Sequence, residues 1–344
     1  MKNEITYRPA TKTDYTMMSE LYNRSYNADR DADYYSWLYD HNPMGSGVVF
    51  IALLEEVVIG MVGLVSYNFV RNGKEVKTYK SEDALVEKQH RKKGIFKNLY
   101  HYVFQYIGIH HLWSFTDKKN IFEKIGRPHS NRFESAVAVG RLVNPSMFNN
   151  KRYIKSLLFN LIYLKDKLRR TPKHICDNHQ IVDVNTFDYH SLQAFMLSIS
   201  TNNPDIIYPQ ISSEIINWRF VNHPEIEEFV LFVTYDNFKN IKALSMVRIS
   251  KEFAFWPVSY FLDSNSDNDN IAHVKALKSI VLKDMARYIK LWIFDNNYAV
   301  LKMKDIFLKS GFTIINDGLW IGTHPTISNI NGDNIYYSGQ LSVH

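Results

Sequence analysis

Hydrophobic and polar positions fall in blocks whose period changes in a recurring order along the chain. Ile5–Ala10 is short and β-prone, and Thr13 or Asp14 can cap a helix with Met17, Met18, Leu21 and Tyr22 on its apolar face. A second helical segment over Asp33–Tyr39 stops before Asn42-Pro43, where proline cannot continue it and Gly45 and Gly47 make the turn. Strands over Val48–Leu54 and Val57–Val65 flank the tight turn Glu55-Glu56. Asn72-Gly73, the strongest hairpin signal in the chain, leads into the long alternating run Lys74–Val86. A polar, basic stretch, Lys88–Gly94, then opens a helix with Ile95, Leu99, Tyr102, Val103 and Tyr106 on its apolar side. A strand over Leu112–Phe115 and a short helix over Asn120–Ile125 follow, the latter ending at Gly126.

The second half repeats the theme. Strand patterns cover Ile181–Val184, Val230–Tyr235, Ala243–Ile249, Phe255–Leu262, Lys290–Phe294 and Phe312–Ile315. Helical patterns cover Tyr189–Ser200, Ala272–Tyr288 and Val300–Leu308, with Gly311 suited to a C-cap and Asn265–Asn270 read as a polar loop. Trp37-Leu38-Tyr39-Asp40-His41-Asn42-Pro43 is echoed by Trp218-Arg219-Phe220-Val221-Asn222-His223-Pro224, each time before a strand pair. The pattern predicts two copies of one fold in tandem, mixed α/β, each a mostly antiparallel twisted sheet flanked by helices.

Between the halves lies Lys151–Lys173, with eight Lys or Arg against one acid, Asp166. Ile154, Leu157, Leu158, Leu161, Ile162 and Leu168 recur there at helical spacing, and Pro172 ends the run. The expectation is a basic amphipathic linker helix, its apolar side packed on a domain and its basic side in water; peripheral membrane contact is the lesser reading. The expected domains are residues 1–145, a linker over 146–180, and residues 181–344.

Composition narrows the class. The chain has 344 residues, 45% hydrophobic and 22% charged, which suits about two globular domains and excludes disorder or coiled coil for the whole. With a single cysteine, Cys176, neither an internal disulfide nor a cysteine-based zinc cluster can form. The densest apolar run, Leu157–Leu164, falls far short of the ~20 residues that cross a bilayer. The polar start Met1-Lys2-Asn3-Glu4 lacks a signal-peptide core, so a cytoplasmic protein is expected. A net charge of +6 favours anionic partners without choosing among them. No RNA-binding motif accompanies the aromatic residues, and nucleic acid is not expected. No His-x-Glu or His-Glu-x-x-His pattern occurs among the 13 histidines, and no metal is expected. A Gly-x-Ser-x-Gly elbow is absent as well.

The chemistry concentrates in Ser81–Phe96, where a strand runs into a basic turn that opens a helix. Unpaired N–H groups at a helix N-terminus and the helix dipole make such a turn an anion cradle. Gly94 lets a phosphate approach the backbone, and Arg91, Lys92 and Lys93 add charge-assisted hydrogen bonds. The Gly-x-Gly-x-x-Gly of dinucleotide folds and the Gly-Lys-Ser/Thr of P-loops are both absent.

Arg91-Lys92-Lys93-Gly94-Ile95-Phe96 resembles motif A of the GNAT superfamily of acyl-CoA-dependent N-acyltransferases, Gln/Arg-x-x-Gly-x-Gly/Ala, with Phe96 departing from the small residue. The register Asp83, Val86, Arg91, Gly94, Ile95, Phe96 is similar to a bacterial subgroup that often has tandem GNAT domains. So are Tyr35-x-Trp37-x-Tyr39-x-x-Asn42-Pro43-x-Gly45 and Val58-Ile59-Gly60.

The resemblance implies that an acyl-CoA, acetyl-CoA first, sits with its pyrophosphate on backbone amides from Arg91 to Phe96. It implies that the pantetheine arm pairs with Leu85 and Val86, and that Asn120 (or Asp117) stands for the asparagine after the fifth strand. The acceptor would be a small primary amine, with an amino-sugar nucleotide as first guess, attacking directly in a ternary complex. Asp83, with Glu82 as second choice, is the expected base; strict alternation lets only one of them face the groove. No tyrosine occurs in Thr116–Gly126, so the general acid stays open, with water an option. Trp37, Tyr39, Trp218 and Phe220 are candidates for the acceptor groove, with core packing as the competing role. The acidic, glycine-free stretch Asp263–Asn270 predicts a second half without cofactor binding. The competing readings are an acyl-CoA-binding protein without turnover, and anionic-surface binding through the basic linker.

Overall fold

The computed structural model describes residues 4–71, 73–107, 112–116, 129–140, 153–168, 178–202, 207–224, 228–250, 253–261, 267–294, 298–315 and 320–323. Strand β1 (Thr6–Pro9) precedes helix α1 (Tyr15–Tyr26) and the short helix α2 (Ala32–Tyr35), which continues as a π-turn over Ser36–Asp40. Strands β2 (Val48–Leu54), β3 (Val57–Arg71) and β4 (Lys74–Val86) form an antiparallel meander. Glu55 and Glu56 both take positive φ (48° and 65°), the conformation a two-residue hairpin turn requires for its twist. Helix α3 (Ile95–Ile107) leads to β5 (Leu112–Thr116) and β6 (His129–Val139). The helix expected over Asn120–Ile125 lies outside the described residues.

Helix α4 (Tyr153–Leu168) separates the halves. The succession then recurs: β7 (His179–Val182), α5 (Tyr189–Asn202), β8 (Ile207–Pro209), and α6 (Ser213–Ile216) running into a π-turn over Asn217–Val221. Next come β9 (Glu228–Tyr235), β10 (Ile241–Ser250), β11 (Phe253–Phe261), α7 (Asp267–Ile280), β12 (Tyr288–Phe294), α8 (Tyr298–Lys309), β13 (Thr313–Ile315) and β14 (Trp320–Thr323). The helix expected over Ala272–Tyr288 begins five residues sooner, with Asp267 and Asp269 favourably placed in its first turn. A π-turn over Val281–Met285 closes it, and Tyr288 opens β12 instead.

One hydrogen-bonded path runs β1-β2-β3-β4-β5-β14-β6-β12-β11-β10-β9-β7. Its ends mirror each other, and the parallel pairs β4–β5 and β11–β12 stand at matching places. The middle exchanges strands: β14 lies between β5 and β6, while β6 lies between β12 and β13. Each half thus completes its sheet with a strand from the other. Strand β8 adds a further crossing by pairing with the end of β3. The largest apolar cluster spans both halves, joining Trp37, Tyr67, Phe69 and Trp113 to Trp218, Val230, Phe232 and Leu291.

The two copies of the tryptophan motif meet at the centre of this arrangement. Asp31 caps α2 through the Tyr34 N–H (3.0 Å), and Ser212 caps α6 through the Ile215 N–H (3.2 Å). Each short helix then widens into a π-turn closed by His41 N–H to Ser36 O (3.1 Å) or Asn222 N–H to Asn217 O (2.8 Å).

Helix α4 departs from expectation. Phe159 and Ile162 seat it against Val137 and Val139, but Leu157, Leu158, Leu161 and Leu164 are exposed rather than packed.

Candidate functional site

The site is built where β4 stops being regular. Met61 pairs with Leu85 and Gly63 with Glu82, so β4 spends three residues where β3 spends two. The extra residue is a β-bulge, and Asp83 sits in it with φ 46°. Before the bulge the faces alternate: Ser81 Oγ hydrogen-bonds Tyr100 Oη on α3 (2.7 Å), while Lys80 and Glu82 form an ion pair on the opposite face near Trp113. The bulge suspends that alternation. Asp83 joins Glu82 on the face away from α3, accepting from Arg30 Nη1 at 3.0 Å, with Tyr39 Oη at 3.5 Å. The sequence expectation that only one of the two carboxylates could share that face is therefore corrected.

Both carboxylates are buried, the Asp83 side chain only 1% exposed and that of Glu82 6%. The guanidinium of Arg30 lies 3.7 Å from the ring centroids of both Tyr22 and Tyr34, an aromatic clamp that fixes the cation facing Asp83. Burial, reinforced by Arg219 from the second half, pushes the Lys80 ammonium well below its ordinary pKa. Burial and the Asp83 charge push the Tyr39 phenol well above its own, so it stays a hydrogen-bond donor. Gly63 makes room for that phenol: a Cβ there would fall 1.8 Å from Tyr39 Oη. Sequence reasoning missed Arg30, Lys80, Tyr22 and Tyr34. Arg30 stands in a polar stretch, Asn27–Asp31, that carries no signal of burial.

A pairing ends just before the bulge. Among the described residues, parallel strands β4 and β5 match only at Tyr79–Leu112 and Lys80–Trp113. Beyond Lys80 the edge of β4 runs unpaired with β5 to Val86, while β5 holds β14 on its other side through Thr116. Two strands that start side by side and then part leave an opening between them, along which the backbone of β4 lacks a β5 partner. Leu85 and Val86, the expected pairing positions, lie on that stretch; the Val86 carbonyl accepts from Arg91 Nε (2.9 Å).

The opening ends at the basic turn. Glu87 leads a single turn over Lys88–His90 and is bonded by Arg24 Nε (3.3 Å). Lys92 (φ 66°) and Gly94 (φ 80°) then take left-handed conformations, which curl the backbone around one point. A Cβ built on Gly94 meets nothing within 4 Å, so the space beside the turn at Gly94 is open. Arg91, Lys92 and Lys93 are exposed around it. The first helical bond of α3 runs from Asn98 N–H to Gly94 O (3.0 Å), which leaves the N–H groups of Ile95, Phe96 and Lys97 without intrahelical partners. Ile95, Leu99 and Val103 anchor the helix in the core, and Gly60 allows the approach, since its Cβ would stand 3.3 Å from Ile95 Cγ2. Phe96, the departure from the motif, is half-buried against Tyr100 (4.9 Å between rings). These residues fit a diphosphate-bearing ligand whose tail follows the β4 edge. Asn120 lies outside the described residues.

Trp37, Tyr39, Trp218 and Phe220 are all core residues, 7% exposed or less, and Tyr39 reaches Asp83 through its hydroxyl. In the second half, α7 opens with Asp267 and Asp269 where α3 opens with a basic turn.

Residues 6–109 match the family described as Acetyltransferase (GNAT) domain. None of the curated proteins matches the chain in sequence. Among solved structures, a conserved protein of unknown function from Enterococcus faecalis V583, described as a probable N-acyltransferase, is similar with a TM-score of 0.61 at 8% identity. That likeness covers 94% of this chain and 73% of the other. The Saccharomyces cerevisiae N-myristoyltransferase with bound myristoyl-CoA is similar with a TM-score of 0.55 at 10% identity, covering 94% of this chain and 78% of the other. At such identities the likeness establishes the fold, and it extends over both halves.

Proposed function

We propose, from the match of residues 6–109 to the Acetyltransferase (GNAT) domain family and the geometry of the site, that the chain is an acyl-CoA-dependent N-acyltransferase acting on a small primary amine. The single observation that carries the reading is the parting of β4 from β5 after Lys80, just before the Asp83 bulge and in line with the open basic turn before α3. Bound acyl-CoA supplies an activated thioester carbonyl and a thiolate leaving group. The backbone N–H groups from Arg91 to Phe96, with the side chains of Lys92 and Lys93, hold its diphosphate. The edge of β4 from Ser81 to Val86 aligns its arm, and direct attack in a ternary complex follows. Acetyl is the proposed acyl group. An amino-sugar nucleotide is the proposed acceptor class, because its anionic diphosphate suits a protein of net charge +6.

The acceptor nitrogen must lose a proton, and Asp83 and Glu82 are the proposed carboxylates for it. Arg30 and Lys80 already bond them, so the proton reaches either one through water or after its cation turns aside. The two halves are proposed as tandem copies of one fold, the second without a diphosphate turn because Asp267 and Asp269 repel an anion there.

The test is thermal unfolding with acetyl-CoA, parent beside Gly94→Glu, followed by an amine panel read by thiol release. Ligand at 100 times its Kd stabilises by about 2.7 kcal/mol, a shift of several degrees. A shift in the parent and none in the variant is expected, because the new carboxylate fills the open side of the turn. No shift in either overturns the assignment. A shift without thiol release from any amine favours an acyl-CoA-binding protein without turnover.

A further inference from the structure

Helix α4 is apolar on the side that faces water. Leu157, Leu161 and Leu164 stand at i, i+4 and i+7, on one face, and are 61%, 56% and 50% exposed. Phe159 and Ile162, on the opposite face, hold the helix to β6 and to Tyr288, whose ring lies 5.0 Å from that of Phe159. The apolar outer stripe is therefore additional to the side that seats the helix. A surface helix ordinarily turns polar residues outward, so an outward leucine stripe marks an interaction face.

The charge around it identifies the occupant. Residues 151–173 hold eight basic residues against one acid, although the whole chain has a net charge of only +6. Everything outside this stretch therefore cancels to within one charge, and the cationic character of the protein is concentrated here. Lys165 is exposed next to the stripe. A second copy docking through the same face would set these cations against their own kind. A nucleic acid would meet the cations but gain nothing from the leucines. A surface both anionic and able to take up alkyl side chains satisfies both features.

We propose that α4 lies flat on an anionic lipid bilayer, with Leu157, Leu161 and Leu164 in the headgroup–acyl boundary and Lys165 beside them at the lipid phosphates. At 16 residues the helix is too short to span, and among the described residues no helix is long and apolar enough to cross a membrane. This surface stands apart from the opening between β4 and β5, and the proposal does not depend on the acyltransferase reading.

The test is co-sedimentation of the full chain with vesicles of phosphatidylcholine alone and of phosphatidylcholine doped with phosphatidylglycerol. The parent and the triple variant Leu157→Ser/Leu161→Ser/Leu164→Ser are compared, with light scattering for oligomeric state. Expected is binding to the doped vesicles only, weakened by salt and lowered on the order of tenfold or more in the variant, whose melting temperature stays that of the parent. Parent protein that ignores doped vesicles overturns the proposal, as does binding the variant retains in full. A parent dimer that the variant splits, without vesicle binding, overturns it in favour of a second copy as the occupant.

Discussion

The indole N–H of Trp37 donates to the backbone carbonyl of Trp218, and the indole N–H of Trp218 donates to the carbonyl of Trp37, both at 2.9 Å. The two rings stack with centroids 4.9 Å apart. A reciprocal bond of this kind is what a local two-fold relation between the two motifs, 181 residues apart in the chain, would give. The echo in the sequence is therefore one of the contacts across which the halves join.

Symmetry predicts matched consequences for the two tryptophans. Trp37→Phe and Trp218→Phe each remove one N–H and leave one buried carbonyl without its donor, at a cost of about 1–3 kcal/mol. Trp37→Ala loses the stack as well and should cost about 3–5 kcal/mol. Urea unfolding of all three checks this, and markedly unequal losses for the two phenylalanine variants would contradict the two-fold relation.

The Arg30–Asp83 pair should behave as a coupled unit. Asp83→Asn or Arg30→Met alone strands a charge in the core between Tyr22, Tyr34 and Tyr39, at about 3–5 kcal/mol. The double variant removes both charges and should lose clearly less than the sum of the two. A double-mutant cycle in urea decides, and additive losses would mean that the pair does not hold the bulge. Turnover read on the same proteins separates anchoring from proton transfer. Asp83→Asn at unchanged coenzyme A affinity, with turnover lost and its pH profile flattened, points to proton transfer.

Acid should weaken the fold in two stages. His273 is fully buried, with its ring nitrogens bonded to Thr234 Oγ1 (2.7 Å) and Ser245 Oγ (2.8 Å). Burial, and secondarily His179, push its pKa down from 6.5 to about 3. Between those values the unfolded chain binds a proton that the folded one refuses. The contribution of His273 is thus complete above pH 6.5 and falls on acidification by up to about 1.4 kcal/mol per pH unit. Asp14, held down to about 2 by its bond with Arg8, adds a second loss between pH 3.8 and about 2. His273→Gln should flatten the slope between pH 6.5 and 4.5 in urea titrations; an unchanged slope would sink this account.

Much of the first half was legible because its signals are local. A turn at Glu55-Glu56, a hairpin at Asn72-Gly73 and a basic turn with Gly94 before an apolar helical stripe each depend on a few neighbouring residues. The bulge at Asp83 was not legible, since an alternating run looks the same whether or not one residue is extra; only the pairing with β3 reveals it. Nor was Arg30, whose burial depends on two tyrosines and a carboxylate 53 positions away.

Helix α4 marks the limit from the other direction. Its leucine spacing was plain, and spacing says that a face is apolar without saying what covers it. Position along the chain by itself determined the succession of strands and helices, the repeated motif, the basic turn and the concentration of charge in residues 151–173, because these follow from backbone propensity and composition over short windows. Only the tertiary structure decided that β6 and β14 change places between the halves, that Glu82 and Asp83 share one buried face, and that the leucines of α4 look outward. Those are choices among partners distant in sequence, and the free energy that settles them comes from burial and pairing across the whole molecule.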